Sequence, residues 1–393
     1  MDYLFYILDL PSYIQILGAI FILAFLIQSY YYFYYYSGLL FHKWRIKKGK
    51  ITYAKNQPPV SVIICAKDES ENLKNFLPVV LEQNYPEYEV IVVNDGSSDE
   101  SNIVLEKYAE KYPHLYHTFL PADAKYMSRK KICLTVGIKA AKYDNLLLID
   151  ADCRPNSKEW INNMVRNFVG KSEIVLGYGG HKHKKGLLNK MISFDTLFVA
   201  IQYMGVALKR KPYMGVGRNL SYKKELFFRN KGFASHLNLV SGDDDLFVKE
   251  VATKKNPRVE FSPESITWSE RKMTFKSFIY QKEKHLTTSS YYTFSTRLRI
   301  GIEIFSRALF YLLFIFLSTY FVYVKDYIAL GAVGGLFLFR YIYQLIIVNR
   351  TAKIIREKRT ILSLLLFDIF LPLLSFYILT IGRIGTKKHS MWK

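Results

Sequence analysis

Two aspartates follow directly on a run of aliphatic residues in the stretch LLLIDADCRP, residues 146–155. In an extended strand, residues two apart point to the same side, so Asp150 and Asp152 would lie about 7 Å from each other. At that spacing the two carboxylates cannot easily ligate one metal ion together. The two carboxylates therefore have different roles at one cationic group, or they are simply solvated.

Other carboxylates follow two stretches that are typical of buried strands. Asp68 and Glu69 come after VSVIICA, residues 60–66, and Asp95 comes after EVIVV, residues 89–93. In open parallel sheets, ligands bind beyond the carboxyl ends of the strands. Asp95 alone, within NDGSSD, fits ordinary turn chemistry equally well, but three coincident strand ends predict an acidic crevice. Such a crevice needs a cationic ligand, and the divalent cations Mg²⁺ and Mn²⁺ prefer oxygen ligands.

The elements that position these side chains alternate between strand and helix after Pro58 and Pro59. The predicted strands are 60–66, 89–93, 117–120 and 145–150, and the predicted helices are 69–83, 99–112 and 130–141. This alternation predicts parallel β-α-β construction. The strands are almost continuously apolar, which predicts a sheet covered on both faces. The expected fold class of this part of the chain is therefore α/β.

Apolar segments lie at both ends of the chain. Residues 10–42 contain no Asp, Glu, Lys or Arg, and about 20 apolar residues suffice to cross a hydrocarbon core. We interpret this segment as a retained spanning helix, because it is too long and too aromatic for a secretory signal. Three further apolar segments follow the middle of the chain, at 308–324, 327–348 and 361–381.

Charged residues interrupt two of these later segments. Arg340 and Asp368 would be costly inside a membrane, which makes them functional candidates; for Arg340 we prefer the alternative that its side chain reaches the interface. One span before the α/β part and three after it would place the basic tail, residues 385–393, on the outer side. Either the segment with Pro372 is re-entrant, or the tail breaks the positive-inside rule.

The net charge of +22 is concentrated beside the apolar segments, in clusters at 43–50, 350–359 and 387–393. Anionic membrane lipids are the partner that this placement favours, and the absence of any nucleic-acid-binding signature argues against nucleic acid. The cluster at 43–50 follows the aromatic tract at 30–38, which fits an interfacial belt and predicts that the chain then enters the cytoplasm. The three cysteines share no metal-ligand spacing and are expected to be reduced residues of a cytosolic domain.

Four motifs, in this order, resemble those of the family-2 glycosyltransferases of the GT-A fold: VSVIICAKDESENL, VVNDGSSDES, the D-A-D triplet and SGDDDLF. The resemblance covers roughly residues 58–285. It implies a Rossmann-like, mostly parallel GT-A catalytic domain flanked by transmembrane helices. It also implies that Asp95 contacts the base of a nucleotide sugar and that Ala66, Asp68 and Glu69 belong to the loop that closes over the nucleotide.

The resemblance extends to the candidate metal and phosphate ligands. The family's G-K-x-x-A-L-N stretch corresponds to R-K-K-I-C-L-T here, so Lys130 matches the lysine, with Lys131 as the alternative. Asp150 and Asp152 match the D-x-D pair. The resemblance implies that Asp152 ligates Mg²⁺ or Mn²⁺, while Asp150 holds sugar hydroxyls or a metal-bound water.

The segment SGDDDLF, residues 241–247, matches the family's acceptor motif. Asp244 is the first candidate for the general base and Asp243 the second, and the adjacent Asp245 leaves the register open. The alternative is an acidic helix start in which aspartates cap the helix and interact with its dipole.

A Q-x-x-R-W element is expected near the end of the domain, and the chain has Gln281, Lys284 and His285 there. Lys replaces Arg and His replaces Trp, so the platform on which an acceptor sugar would stack is weakened. This departure argues against processive polymer synthesis. Lys284 and His285 are candidates to cover the diphosphate, and a plain interfacial basic helix is the alternative.

The resemblance thus implies a membrane-bound inverting glycosyltransferase that moves a sugar from a nucleotide-sugar donor, UDP-linked by analogy, to a lipid-linked or saccharide acceptor. Glycolipid or cell-envelope polysaccharide synthesis at a bacterial inner membrane, with the catalytic domain in the cytoplasm, is the expected setting. The alternatives are a processive polysaccharide synthase and a catalytically silent nucleotide-sugar-binding scaffold. The expected regions are a spanning segment at 1–42, a basic linker at 43–57, the catalytic domain at 58–270, an interfacial amphipathic segment at 271–300 and a C-terminal membrane region at 301–393.

Overall fold

The computed structural model describes residues 10–121, 128–270 and 274–380. The helices, in chain order, are α1 (Ser12–Tyr30), which continues as a π-helical segment (Tyr31–Tyr36), α2 (Gly38–Lys47), α3 (Ser70–Leu81), α4 (Ser101–Lys111), α5 (Arg129–Ala140), α6 (Trp160–Val165), α7 (Leu187–Leu208), α8 (Lys224–Arg229), α9 (Asp245–Val251), α10 (Phe275–Ser289), α11 (Phe294–Tyr323), α12 (Tyr327–Ile354) and α13 (Leu362–Thr380). The strands are β1 (Val60–Ala66), β2 (Tyr88–Asn94), β3 (Leu115–Phe119), β4 (Asn145–Leu148), β5 (Cys153–Pro155), β6 (Ile174–Leu176), β7 (Gly179–His181), β8 (Leu220–Lys223), β9 (Pro257–Val259) and β10 (Thr267–Ser269).

A mixed sheet, parallel in its first half, forms the centre of the soluble domain. Its strand order is β3-β2-β1-β4-β8-β6-β9, and β8 runs antiparallel to both of its neighbours. The pairs β1–β2, β1–β4 and β2–β3 are parallel. A second, smaller sheet has the order β5-β10-β7. The predicted α/β class with a mostly parallel sheet is confirmed, and the carboxyl ends of β1, β2 and β4 meet along one edge.

Apolar side chains cover both faces of the large sheet. Val62 and Val90 pack in the core on one face, and Ile63 and Ile91 pack in the core on the other. The alternation follows from the period of two in a strand. Because both faces are buried, the strands need apolar residues at every position, which is why their sequences show no polar alternation.

The core on one face of the sheet continues into the membrane helices through α7. This helix is mostly buried in protein, and its Gly205 lies against the π-helical segment. A Cβ built on Gly205 would lie 2.3 Å from the carbonyl oxygen of Tyr35, so the two backbones can approach this closely only because residue 205 has no side chain. The packing also buries Tyr32 and Tyr36, so the predicted interfacial belt is only partly correct: half of the aromatic tract faces protein.

Four helices among the described residues are long and apolar enough to cross a membrane: Ser12–Lys47, Leu187–Leu208, Phe294–Tyr323 and Tyr327–Ile354. The second of these is α7, whose apolar sequence had not been predicted as a span. The last predicted segment forms α13, a shorter apolar helix that continues through Pro372. The basic tail at 385–393 lies outside the described residues.

Arg340 does not extend to the membrane interface, which corrects the preferred expectation. Its side chain is 1% exposed, and its Nη2 lies 3.0 Å from the Asp368 Oδ2. Arg307 pairs with the other oxygen of Asp368 at 2.9 Å. Two cations on different helices share one buried carboxylate, and this attraction is strong enough at low dielectric to hold Arg340 inside.

Candidate active site

Lys130 lies at the centre of the crevice beyond the carboxyl ends of the strands. It is the second residue of α5, and its Nζ lies 3.0 Å from the Asp150 Oδ1 and 3.0 Å from the Asp243 Oδ2. Burial alone would lower the pKa of Lys130, but the charges of Asp150 and Asp243 outweigh burial and raise it. Lys130 is therefore a fixed cation between two acidic loops.

Lys131 has a different environment, although it is the next residue. Its Nζ donates to the carbonyl oxygens of His236, Leu239 and Ser241 at 2.6, 2.9 and 2.8 Å. Successive helical residues differ by about 100° in direction, so the two lysines must face different surroundings. Lys131 holds the loop that precedes the acidic motif, and Lys130 alone of the pair faces the crevice.

The D-x-D residues lie in a turn rather than in a strand, which corrects the expected 7 Å separation. Strand β4 ends at Leu148, and the chain turns through Asp150 and Asp152 before β5 begins at Cys153. One ligand atom from each of these three residues lies within 4.8 Å of the other two. The turn therefore brings the two carboxylates close enough to bind the same ion.

The donor chemistry of this cluster fits an oxygen-preferring divalent cation. Asp152 accepts hydrogen bonds from the Ser269 hydroxyl at 3.1 Å and from the Cys153 thiol at 3.2 Å, which orient its carboxylate. Burial and the adjacent aspartate charges raise the pKa of the Cys153 thiol, so the sulfur stays protonated. A hard cation such as Mg²⁺ would take the carboxylate oxygens and leave the thiol as a hydrogen-bond donor.

The three consecutive aspartates have three different environments. Asp243, after Gly242 at φ +102, pairs with Lys130; burial opposes its ionisation, but the Lys130 charge prevails and lowers its pKa. Asp245 is 2% exposed and accepts from the hydroxyls of Thr288 at 2.5 Å and Tyr292 at 2.9 Å. Asp245 therefore fastens the end of α10 and the segment after it to the acidic motif.

Asp244 is the aspartate of this group that combines partial exposure with an elevated pKa. Its Oδ2 accepts from the Gly217 N–H at 2.8 Å and its Oδ1 from the Asp245 N–H at 2.7 Å. Burial and the charges of Asp243 and Asp245 raise its pKa to about 6. It also caps α9, as the alternative interpretation predicted, so capping and proton acceptance are compatible roles for one carboxylate.

Asp95 is more deeply buried than we would expect for a residue that is free to contact the base of a nucleotide sugar. It is 1% exposed, and its Oδ1 lies 2.6 Å from the Nε of Arg129, the residue before Lys130. Its Oδ2 has no hydrogen-bond partner among the described residues. Burial raises the pKa of Asp95 and the Arg129 charge opposes that rise. The pairing with Arg129 was not predicted, although the R-K-K run offered a second cation at this place.

The other predicted nucleotide-loop residues join two neighbouring loops. The Ala66 carbonyl accepts from the Asp95 N–H at 2.7 Å. Asp68, at φ +51, accepts from the Ser98 N–H at 2.7 Å, and the Glu69 N–H donates to the Ser101 hydroxyl at 3.2 Å. These contacts shape the rim of the crevice, beyond Asp95.

Gln281, Lys284 and His285 share one face of α10, because they are spaced three and four residues apart. Burial lowers the pKa of His285 and the Asp244 charge opposes this shift, so the imidazole lies within electrostatic range of the acceptor motif. The Lys284 ammonium lies 4.5 Å from the centre of the Tyr280 ring on the same helix. The structure thus brings His285 towards the acceptor motif.

Sequence reasoning missed Arg218 as a site residue. It follows Gly217, whose N–H binds Asp244, and its Nη1 lies 2.9 Å from the His181 Nε2. Its charge lowers the pKa of His285, so it lies within electrostatic range of the crevice mouth. The sequence signal for Arg218 was the stretch GVGRN, in which a single arginine lies between glycine and asparagine and does not fit the pattern of an ordinary strand.

Residues 61–228 match the family model described as Glycosyl transferase family 2. The match agrees with the resemblance that the motifs indicated and confirms the predicted recognition over this part of the chain. The acceptor motif at 241–247 lies beyond the matched residues.

This chain matches only part of the length of its curated relatives. A poly-beta-1,6-N-acetyl-D-glucosamine synthase of Staphylococcus epidermidis is 33% identical over 93 residues, which are 24% of this chain and 21% of that protein. The synthase of the same name from Staphylococcus aureus strain COL is 23% identical over 235 residues, 56% of this chain and 54% of that protein. The chain thus spans about half or less of these relatives.

A solved structure shows the same fold. The mannosyltransferase PcManGT from Pyrobaculum calidifontis, in complex with GDP-Man and Mn²⁺, superposes with a TM-score of 0.50 at 16% identity and covers 86% of this chain and 99% of that one. At this identity the likeness confirms the GT-A architecture alone.

Proposed function

We propose that the protein is a membrane-bound inverting glycosyltransferase that moves a sugar from a nucleotide-sugar donor to a lipid-linked or saccharide acceptor. The observation that carries the proposal is the position of Asp244: a partly exposed carboxylate with a pKa raised to about 6, beside Lys130 and the clustered Asp150 and Asp152. A base, a cation and a candidate metal site at one crevice are what a single displacement at a sugar phosphate requires.

Asp244 is the proposed general base. At neutral pH a carboxyl group with a pKa near 6 is mostly ionised, yet it is more basic than an ordinary aspartate, so it accepts the proton of an attacking hydroxyl efficiently. The Gly217 and Asp245 N–H groups hold the carboxylate in one orientation. The second candidate, Asp243, is less suited because Lys130 lowers its pKa.

Lys130, Asp150 and Asp152 are proposed to hold the donor diphosphate. Bound to Asp152 and Asp150, Mg²⁺ or Mn²⁺ would supply Lewis-acid neutralisation of the charge on the leaving diphosphate. Lys130 exchanges its ion pairs with the two aspartates for phosphate oxygens when the donor enters. His285 and Arg218 then flank the diphosphate at the mouth of the crevice, and Asp95 lies at the base end.

The polymer-synthase alternative is kept because the curated relatives are named as synthases of poly-beta-1,6-N-acetyl-D-glucosamine. Their names make N-acetylglucosamine the first sugar to test, with UDP as the carrier that the family resemblance implies. Chain length of the product separates single transfer from processive synthesis. A cytoplasmic catalytic domain at a bacterial inner membrane is the proposed setting, with anionic lipids against the basic clusters.

A screen of nucleotide sugars with the full-length protein in detergent tests the proposal. The expected result is that one donor raises the unfolding temperature and releases its nucleoside diphosphate in the presence of Mn²⁺. If no nucleotide sugar is bound or turned over in the presence of membrane lipid extract as acceptor, the transferase function is wrong, and binding without turnover would favour the silent scaffold.

A further inference from the structure

A cavity of about 620 Å³ lies away from the crevice, between the start of α7 and the connection from α12 to α13. It is located where the soluble domain meets the membrane helices. Its walls come from the residues that precede and begin α7 and from residues 358–363. The fold therefore leaves an open chamber at the expected membrane border.

One side of this cavity is strongly basic. The basic side chains that line it, apart from His183, are Lys184, Lys185, Lys190, Lys358 and Arg359, and no Asp or Glu lines it among the described residues. Glu357 precedes this group, but its carboxylate oxygens are engaged by the Tyr178 hydroxyl and the His183 ring, each at 2.7 Å. The lining thus carries an excess of positive charge, which favours an anionic ligand.

Apolar side chains also line the cavity. Phe194 and Leu197 line it from α7 and are each 1% exposed, whereas Ile361 and Leu362 line it at the start of α13 and are 61% and 88% exposed. Exposed aliphatic side chains next to a membrane helix are expected to contact lipid chains. A ligand that fills the cavity therefore needs a charged end and a hydrocarbon end.

The hydroxyl of Thr360 is a separate observation that points to a ligand in the cavity. It lines the cavity and is 8% exposed, and its hydroxyl has no hydrogen-bond partner among the described residues. Its backbone is fully engaged, since the N–H donates to the Asn349 Oδ1 at 2.8 Å and the carbonyl accepts from the Asn349 Nδ2 at 2.9 Å. A buried hydroxyl without a partner costs free energy, and such a group often indicates a missing ligand.

We propose that this cavity binds the phosphate headgroup of an anionic membrane lipid, with the lipid chain along Phe194, Leu197 and the exposed start of α13. The site does not depend on the transferase function, because it uses none of the crevice residues. It is nonetheless near the crevice: the Lys184 Nζ donates to the Glu270 carbonyl at 2.8 Å, and the Glu270 N–H donates to the Asp152 carbonyl at 3.1 Å.

Thermal unfolding of the full chain in detergent tests this site with three probes: dioctanoyl phosphatidic acid, dioctanoyl phosphatidylcholine and inorganic phosphate. We expect phosphatidic acid to stabilise the protein at concentrations at which the other two do not. Equal stabilisation by inorganic phosphate would show an anion site without a lipid, and equal stabilisation by phosphatidylcholine would show a nonspecific apolar groove; either result overturns the proposal.

Matched variants distinguish lipid binding in the cavity from a general effect of surface charge. The double change Lys358→Gln and Arg359→Gln should weaken phosphatidic acid binding about ten-fold or more, since each basic residue near an anionic lipid contributes several-fold. The control, Arg350→Gln and Lys353→Gln, removes the same charge from exposed positions on α12 outside the cavity and should change binding less than about two-fold. Equal losses in the two double variants would contradict a built site.

Thr360→Val and Thr360→Ser test the hydroxyl itself. Val keeps the shape and removes the unpartnered hydroxyl, so without lipid it should be at least as stable as the parent, whereas it should weaken phosphatidic acid binding; Ser should retain binding. If Val binds phosphatidic acid as well as the parent does, the hydroxyl does not contact the headgroup and that contact is wrong.

Discussion

Asp244 differs from its two neighbours in ways that only the folded chain reveals. Lys130 neutralises Asp243, and Asp245 is buried against Thr288 and Tyr292, so Asp244 is the aspartate of the three that combines a raised pKa with a partly open position. The run of three aspartates leaves the register undecided in the sequence. Packing on three sides favours Asp244 as the proposed base, because each carboxylate contacts a different neighbour.

Asp244 gives the proposed reaction a definite pH dependence. A base must be ionised to accept a proton, so kcat/KM should rise with pH and level off above the pKa, which lies at about 6. We expect transfer to fall about ten-fold for each pH unit below that value. Initial rates between about pH 5 and pH 8 measure the profile, with unfolding temperatures as the control for acid damage. A flat profile across this range would contradict the assignment.

Asp152 should carry the metal dependence of donor binding. Since a crevice of carboxylates repels a diphosphate, UDP should bind the parent more than about ten-fold more tightly in Mn²⁺ than in chelator, and Asp152→Ala should remove most of this difference. Cys153→Ser is the matched control from the same cluster, and it should keep the metal dependence because hard cations prefer oxygen. Equal UDP affinity of the parent with and without Mn²⁺ would contradict the metal site.

At the scale of elements, α7 joins the catalytic domain to the N-terminal membrane helix through one close backbone approach. The contact at Gly205 and Tyr35 has no space for a methyl group. α10 and the segment after it are joined to the acidic motif in a different way, by two hydrogen bonds to Asp245. The positions of Asp244 and His285 relative to the membrane therefore depend on a few specific contacts.

Gly205→Ala should destabilise the protein by about 1 to 3 kcal/mol, because the backbones must move apart to admit the added carbon. Gly331→Ala on α12 is the matched control: nothing lies within 4 Å of its Cβ position, and Ala favours a helix over Gly by about 1 kcal/mol. Unfolding temperatures in detergent measure both changes. Equal effects of the two substitutions would show that the α7 contact is not tight.

The sequence was sufficient to predict the helices and strands that have strong hydrophobic patterns. Strand β1 has its predicted bounds, and β2, α3, α4 and α5 differ from prediction by one or two residues, because long apolar runs and helical periodicity fix them. The short strands β5, β7 and β10 have three residues each, too few to show a period. The expected separation of Asp150 and Asp152 was wrong because the strand end at Leu148 carries no sequence signal.

The chemistry of the site was predictable where residue type alone decides it. The carboxylates at strand ends follow from the motifs, which left Lys130 and Lys131 as alternatives for the lysine in the crevice. The Arg129–Asp95 pair and the different directions of Lys130 and Lys131 depend on the rotation of α5, which periodicity alone does not give for adjacent lysines. Arg218 could be placed only once the loop after α7 was known.

At the scale of the whole molecule, a buried polar network joins the membrane helices. Asp368 on α13 accepts from Arg307 on α11, from Arg340 on α12 and from the Tyr311 hydroxyl at 2.7 Å. Arg340 also donates to the Gln28 Oε1 on α1 at 3.1 Å. The network therefore contacts all four of these helices and fixes how they pack below the catalytic domain.

Asp368→Asn should destabilise the protein by about 3 to 5 kcal/mol, because it leaves two buried arginines with less compensating charge. Glu264→Gln, at an exposed position in the soluble domain, removes the same charge and should be nearly neutral. Unfolding in detergent compares the two variants. A neutral Asp368→Asn would show that water or lipid headgroups reach the arginines.

The turnover of Asp244→Asn tests the central claim most directly. Asn keeps the shape and a carbonyl oxygen for the Gly217 and Asp245 N–H groups, so the helix cap and the fold should survive, but Asn cannot take a proton. The account predicts that sugar transfer falls by about 10²- to 10⁴-fold while donor affinity stays within a few-fold of the parent. Transfer at the parental rate by Asp244→Asn would contradict the account, and loss of transfer by Asp243→Asn alone would move the base to Asp243.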